Sequence, residues 1–514
     1  MSGTSENNKR IAKNTMLLYF RMIFIMIISI FTSRINLQSL GVENFGIYNV
    51  VGGVVAMFSV FSGSLGVSIS RFITFELGKE NKERLQKVFS TAVSIQMLLA
   101  VGITILAEIV GIWFLNNKMN IPEERLDAAN WVMHLSIITF AVNLISVPYN
   151  AAIIAHEKMS AFAYVSVFEV VAKLGITYYL FISPFDKLKT FAVLLFVLSI
   201  ILRLIYGVYC KRHFQECSYR FIMNKALFKE MVGFAGWSMF GLVAHTGYNY
   251  GLNILLNLFF GPVVNAARGI AFQVQQAVQG FSNNFQMALN PQIIKSYAQK
   301  DLKRMHELVF ASSKYSFFLL YFLSLPIIIE TPTILSLWLV DVPPHTANFI
   351  RLMLALITFD SLGGPISIAQ QATGKIKTYQ IWVGGIMLMI VPVAYLCLKL
   401  GTSPESVYYV YFTACVVAHC VRMIIIRPLI ELSLREYFKK VILRLMYVLL
   451  TSALLPILIY NVLPETVTSF IIICVLCVCM VAVCVYVFGL ERNEREIVNK
   501  QIQEGILKMK SRLI

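Results

Sequence analysis

The stretch YFRMIFIMIISIFTSRINL, Tyr19 to Leu37, is fit to lie in lipid except for Arg21 and Arg34. A charge near the middle of a bilayer helix costs roughly 2.5–3.5 kcal/mol even on lenient insertion scales, so such a residue needs a compensating role. A guanidinium presents a fixed fork of donors that matches phosphate and carboxylate, which points to an anionic group. With Lys13 taken as the boundary, a rise of about 1.5 Å per residue places Arg21 roughly 12 Å into the membrane and Arg34 roughly 31 Å. Arg34 therefore reaches the far interface, where it can snorkel, and is the weaker candidate. Arg21 cannot escape so easily, and Asn14 and Thr32 share its face.

A second constellation lies in NAARGIAFQVQQAVQGFSNNFQ, residues 265–286. At about 100° per residue, Asn265, Arg268, Gln275, Gln279, Asn283 and Gln286 fall in one sector, with Val274, Val278, Phe281 and Phe285 opposite. Such a face must line water, another polar helix or a polar substrate. The competing reading is interhelical hydrogen bonding. The preceding run, residues 233–253, combines five glycines with His245, Thr246, Tyr248, Asn249 and Tyr250. Its hydroxyl, amide and ring surfaces suit sugars, while its glycines equally suit close helix packing. The run YNVVGGVVAMFSVFSGSLGVSIS, 48–70, is similarly small and polar and reads as packing.

Eight cations sit inside apolar runs: Arg21, Arg34, Lys173, Arg203, Arg268, Lys314, Arg351 and Arg422. Lys314, Arg203 and Arg422 lie toward run ends and are expected to snorkel, and Arg351 is near the other end of its run. Lys173 follows Glu169 by one turn, so the two can neutralise each other. Arg21 and Arg268 remain the best candidates for contact with an anionic substrate. Of the embedded acids Glu108, Glu169 and Asp360, the last two are candidates for ion coupling, Asp360 being near mid-depth.

These residues must be positioned by membrane helices. Of 514 residues, 58% are hydrophobic and 14% charged, and the mean hydropathy is +0.71. Runs of about twenty apolar residues, the length that crosses a hydrocarbon core, recur along the chain. They predict an all-α polytopic membrane protein with about fourteen spans. The ranges are 12–38, 45–70, 87–115, 131–155, 159–182, 190–210, 230–259, 263–288, 308–329, 346–372, 377–399, 405–426, 441–462 and 466–489.

The net charge of +17 is a topology signal. Of 44 lysines and arginines, 31 fall in alternate connectors and termini, five in the other connectors and eight in spans. The positive-inside rule then puts both termini in the cytoplasm and leaves no case for nucleic-acid binding. Nine cysteines form no disulfide framework, and Cys474, Cys477, Cys479 and Cys484 lack a matching ligand pair, so no metal site is expected. No cleavable signal peptide is expected, because the first apolar run is too long. No phosphate-binding glycine loop and no long outer loop argue for ATP hydrolysis or a polymerase or ligase site.

The chain is also written twice. INLQSLG at 35–41 corresponds to LLNLFFG at 255–261, KERLQKVFSTA at 82–92 to KRMHELVFASS at 303–313, and VPYNAAIIAHEK at 147–158 to GPISIAQQATGK at 364–375. LRLI at 202–205 corresponds to VRMI at 421–424. Six spans per repeat give two parallel six-helix lobes, expected around a central cavity as in an alternating-access transporter. The expected domains are an N-lobe over 1–212, a C-lobe over 213–436, two extra C-terminal helices in 437–490 and a cytoplasmic amphipathic tail over 491–514, with Val498, Ile502, Ile506, Met509 and Leu513 on its apolar side.

Six motifs resemble one family: GVENFGIYNVVGGV (41–54), RFITFELGK (71–79), VPYNAAIIAHEKMSAFAY (147–164), GPVVNAARGIAFQVQQAV (261–278), NPQIIKSYA (290–298) and QATGKIKTYQ (371–380). They are similar to the polysaccharide repeat-unit flippases, the Wzx-type branch of the multidrug/oligosaccharidyl-lipid/polysaccharide exporter superfamily. The resemblance runs from about residue 8 to 440. It implies translocation of an undecaprenyl-diphosphate-linked oligosaccharide across a bacterial inner membrane, for O-antigen or capsule. It also implies a cationic cavity, no cofactor, proton or sodium coupling, and partners drawn from membrane lipids and the polysaccharide polymerase machinery. A cation exporter of the same superfamily and a non-transporting scaffold are the alternatives.

Overall fold

The computed structural model describes residues 2–496 except 57, 120, 221–223, 465 and 493, together with 499 and 503. The apolar residues assigned to the tail, Val498, Ile502, Ile506, Met509 and Leu513, lie outside the described residues. All regular elements among the described residues are helical. In lipid no water is available for the backbone, so a helix, which satisfies its own N–H and C=O groups, is the natural outcome of these apolar runs.

Twelve helical stretches among the described residues are long and apolar enough to cross a bilayer. One of them, Lys225–Ala298, is 74 residues long and is interrupted at Gly261 (φ 79°, ψ −172°), so it carries the runs 230–259 and 263–288. The run 45–70 is divided between the helices Ser2–Ala56 and Ser59–Gly78 and is not among the twelve.

The duplication read from the sequence recurs in the backbone. Gly41 (φ 78°) interrupts the first helix as Gly261 interrupts its counterpart in the second repeat. Glu80 and Lys300 share a left-handed φ of 56° and 62°, and Glu157 and Gly374 one of 58° and 76°. Gly41 and Gly261 combine positive φ with a fully extended ψ, a region open essentially to glycine alone, which is why both runs close on that residue.

By contacts the residues form two compact units: 1–246 with 287–305 and 368–385, and 247–286 with 306–367 and 386–514. In the first unit, Glu123–Ala155 packs on Lys187–His213 and on Lys82–Lys118, and Ser2–Ala56 packs on Met159–Ile182. A core around Phe72, Phe89, Tyr149, Phe214 and Phe234 gathers at its lysine- and arginine-rich end, with Phe89 edge-on to Tyr149 at 5.2 Å. Lipid is as apolar as these side chains, so the packing rests on close van der Waals fit and polar contacts. The second unit is knit by the buried rings of Phe349 and Tyr408, 4.9 Å apart, and by Val391 against Gly251, where a Cβ would come within 2.6 Å of it.

Candidate functional site

Arg21 lies on the first helix with its guanidinium stacked 4.5 Å over the Phe162 ring. Its Nε is buried and has no hydrogen-bond partner among the described residues. Glu169 and Tyr206 are the titratable groups whose fields act on it. Glu169 accepts from Lys173 at 2.6 Å, the intrahelical pair expected from their spacing. One turn on, the Thr177 hydroxyl donates to Asn36 Oδ1 at 2.8 Å and ties that helix to the first. Arg34 is exposed. Around Arg21 this leaves a cation with one unmet donor beside an acid that already has a partner.

Arg268 belongs to the second unit and is 4% exposed. Its Nη2 donates to the Asn249 carbonyl at 2.9 Å, so the structure brings together these two candidates. Gln275 donates to Gln279 at 3.5 Å along the same stripe, and Asn283 is exposed. Gln286, at the end of the stripe, donates to the Ser316 hydroxyl at 3.0 Å and the Ser361 carbonyl at 3.3 Å, which is the interhelical bonding weighed against the cavity reading. Tyr248 is 1% exposed with its hydroxyl bonded to that of Tyr411, so its ring is packed inside the unit.

The cations read as able to snorkel all have partners. Arg203 stacks 3.9 Å over the Tyr149 ring. Arg422 pairs with Asp360 at 3.2 Å. Lys314, 3% exposed, pairs with Glu494 at 2.6 Å. Arg351 likewise donates to the Ile328 carbonyl at 3.0 Å.

Two clusters escaped the sequence reading, both inside the first unit. Glu157, in the left-handed turn between Glu123–Ala155 and Met159–Ile182, has a side chain 1% exposed. It accepts from Arg10 Nε at 2.8 Å, Gln292 Nε2 at 2.7 Å and Lys295 Nζ at 2.6 Å, while Asn14 donates to its carbonyl at 3.2 Å. Arg71 donates from Nε and Nη2 to the carbonyls of Gln371 and Ala372, both at 3.1 Å. The one usable signal was in the repeat: aligning Lys158 with Lys375 puts Glu157 opposite Gly374, a residue type that marks a left-handed turn.

The family model described as "Polysaccharide biosynthesis protein" matches residues 11–296. The chain belongs to that family. No curated relative matches by sequence. Among solved structures, the chain is similar to "Crystal structure of MATE in the bent conformation", with a TM-score of 0.72, 14% identity, and 83% of this chain and 96% of that one covered. It is similar to "Outward-facing conformation of a multidrug resistance MATE family transporter of the MOP superfamily", with a TM-score of 0.70, 16% identity and coverage of 83% and 96%. A third is "Reverse polarity of binding pocket suggests different function of a MOP superfamily transporter from Pyrococcus furiosus", with a TM-score of 0.66, 16% identity and coverage of 82% and 96%. The fold of this polysaccharide biosynthesis protein is thus that of the MOP transporters, and the chain is a multi-pass membrane protein.

Proposed function

We propose that this protein is a flippase that moves an undecaprenyl-diphosphate-linked oligosaccharide across a bacterial cytoplasmic membrane by alternating access, with both termini in the cytoplasm, and is not an enzyme. The observation that carries the reading is Arg21, a cation deep in an apolar run whose Nε lies buried with no partner among the described residues. A desolvated guanidinium in that state is served by an anionic ligand, and a diphosphate matches its fork. The family's link to polysaccharide biosynthesis makes a glycan the expected head group.

In this reading Arg21 and Arg268 hold the diphosphate. Gln275, Gln279, Asn283 and Asn249 contact sugars, with Tyr248 supporting Asn249 from inside the unit. Arg34 and Lys173 are secondary, the first being exposed and the second already paired. An ion gradient would act through Asp360 or Glu169, each an acid with a cationic partner whose release could be coupled to movement. Polysaccharide polymerase machinery would act on the delivered product.

The test replaces Arg21 or Arg268 by Ala and by Lys and follows surface glycan and the leaflet position of the lipid-linked intermediate at matched protein levels. Export unchanged by Ala at both positions would sink the reading. Thermal stabilisation by organic cations instead of lipid diphosphates would favour the cation exporter. Silent substitutions throughout both sites, with surface changes damaging, would favour a scaffold.

A further inference from the structure

The clusters at Glu157 and Arg71 are two versions of one contact. Arg71 lies at the end of the second run of the first repeat and binds the turn that follows the fourth run of the second repeat. Gln292 and Lys295 lie at the end of the second run of the second repeat and bind the turn that follows the fourth run of the first. Glu157 and Gly374 hold corresponding left-handed positions in these turns. Between them the end of the run at Gly78 presses on the end of its counterpart: a Cβ there would come within 2.8 Å of Ala298 Cβ.

The two versions differ in their acceptor. At Arg71 the acceptors are backbone carbonyls, and Gly374 leaves room for the guanidinium, since a Cβ there would lie 2.9 Å from Nη2. At Glu157 the acceptor is a carboxylate on which Arg10 and Lys295 converge. Two cations and an amide therefore surround one buried anion that the chain itself supplies. Parting these turns from the helix ends would strip that anion from its donors.

We propose that Arg10, Gln292 and Lys295 form an anion site at the cytoplasmic mouth, filled by Glu157 while the mouth is closed and taken over by the diphosphate of the lipid-linked cargo as it opens. The proposal rests on the flippase reading for the identity of the anion. A diphosphate offers more charge and more acceptor oxygens to Arg and Lys than one carboxylate does, so it can displace the internal ligand. Glu157 then acts as a competitor that offsets one of the site's two positive charges when no cargo is present, and Arg71 is the matching contact that closes without any acid.

The experiment uses the full chain in nanodiscs, in a background without native cysteines, with spin labels at Lys79→Cys and Lys300→Cys in the exposed turns beside the Gly78 contact. Distances and binding are measured with polyprenyl diphosphate in the lipid and, separately, with inorganic pyrophosphate. Glu157→Gln should lengthen the distance without ligand and tighten diphosphate binding by about tenfold, the gain expected when a tethered competitor is removed. Glu157→Asp, which keeps the charge, should fall between wild type and Gln and guards against misreading a folding defect. Adding Arg10→Ala and Lys295→Ala to Glu157→Gln should abolish the gain. Unchanged distance and affinity in Glu157→Gln, or a gain that survives loss of both cations, overturns the proposal. Pyrophosphate binding without polyprenyl diphosphate binding overturns the assignment to lipid-linked cargo. Normal translocation in Arg21→Ala and Arg268→Ala, with this site still binding diphosphate, overturns the reading of those two arginines alone.

Discussion

Asp360 and Arg422 meet at 3.2 Å, Oδ1 to Nη1, and join two membrane-spanning helices inside the second unit. Gly363 makes the pairing feasible, since a Cβ there would fall on the guanidinium. The Arg422 side chain is 12% exposed and that of Asp360 33%, so the cation is the more costly member to leave alone.

Asp360→Asn should therefore destabilise the protein by about 3 kcal/mol, the low end for breaking a buried pair because the acid is partly open. Asp360→Asn with Arg422→Gln should lose less than the sum of the two single changes, since neither charge is then stranded. Thermal unfolding in detergent reads both. Strict additivity would mean that the pair is not coupled.

Gly261→Ala places a Cβ where φ is 79° and ψ −172°. No neighbour lies within 4 Å of that Cβ, so the penalty is backbone strain alone, about 1–3 kcal/mol. Gly41→Ala, in the same conformation, should cost a similar amount, whereas Gly175→Ala, inside a regular helix with open space around it, should not destabilise. Melting temperatures of the three variants check this, and equal values for all three would remove the argument.

Much of this architecture is visible in the residues before any coordinates. The glycines that close INLQSLG and LLNLFFG announce the two breaks, and the polar stripe from Asn265 to Gln286 announces a helix that cannot face lipid. What the sequence hides is pairing across distance. Nothing near Glu157 reveals that Arg10, far before it in the chain, and Gln292 and Lys295, far after it, converge on its carboxylate. Likewise Arg422 reads as a snorkelling cation until Asp360, 62 residues earlier, is found beside it. Periodicity reports which face is polar but not which groups on that face meet.

Glu405 precedes the helix Ser406–Ile430, outside the span, and accepts from His345 Nδ1 at 2.6 Å and Asn348 Nδ2 at 3.1 Å. Partial burial works against its ionisation, but the hydrogen bonds outweigh it and hold the carboxyl down at about 2. A carboxyl depressed on folding contributes stability above its unfolded value of 4.5, and that contribution is lost as pH falls through the folded value. Wild type should thus lose this increment between about pH 4.5 and 2, while Glu405→Gln, with no charge to lose, should not. His345→Ala should move the loss toward the upper end of that window. Melting curves from pH 6 down to 2 decide it, and identical acid limbs in all three proteins would sink the assignment.

Phe162 should matter for Arg21 out of proportion to its distance from any polar group. The ring lies 4.5 Å beneath the guanidinium and orients it while leaving Nε without a partner among the described residues. A desolvated cation over an aromatic face gains about 1–2 kcal/mol, equivalent to roughly tenfold in binding. Phe162→Leu keeps an apolar side chain against Leu18 and Met159, its neighbours in the small core there, but removes the ring. Translocation should fall about tenfold with little change in melting temperature. Phe162→Tyr, which keeps the face, should stay near wild type. A Leu variant that translocates normally would show that Arg21 is held by something other than the ring, and equal losses with Leu and Tyr would point to packing instead of the cation.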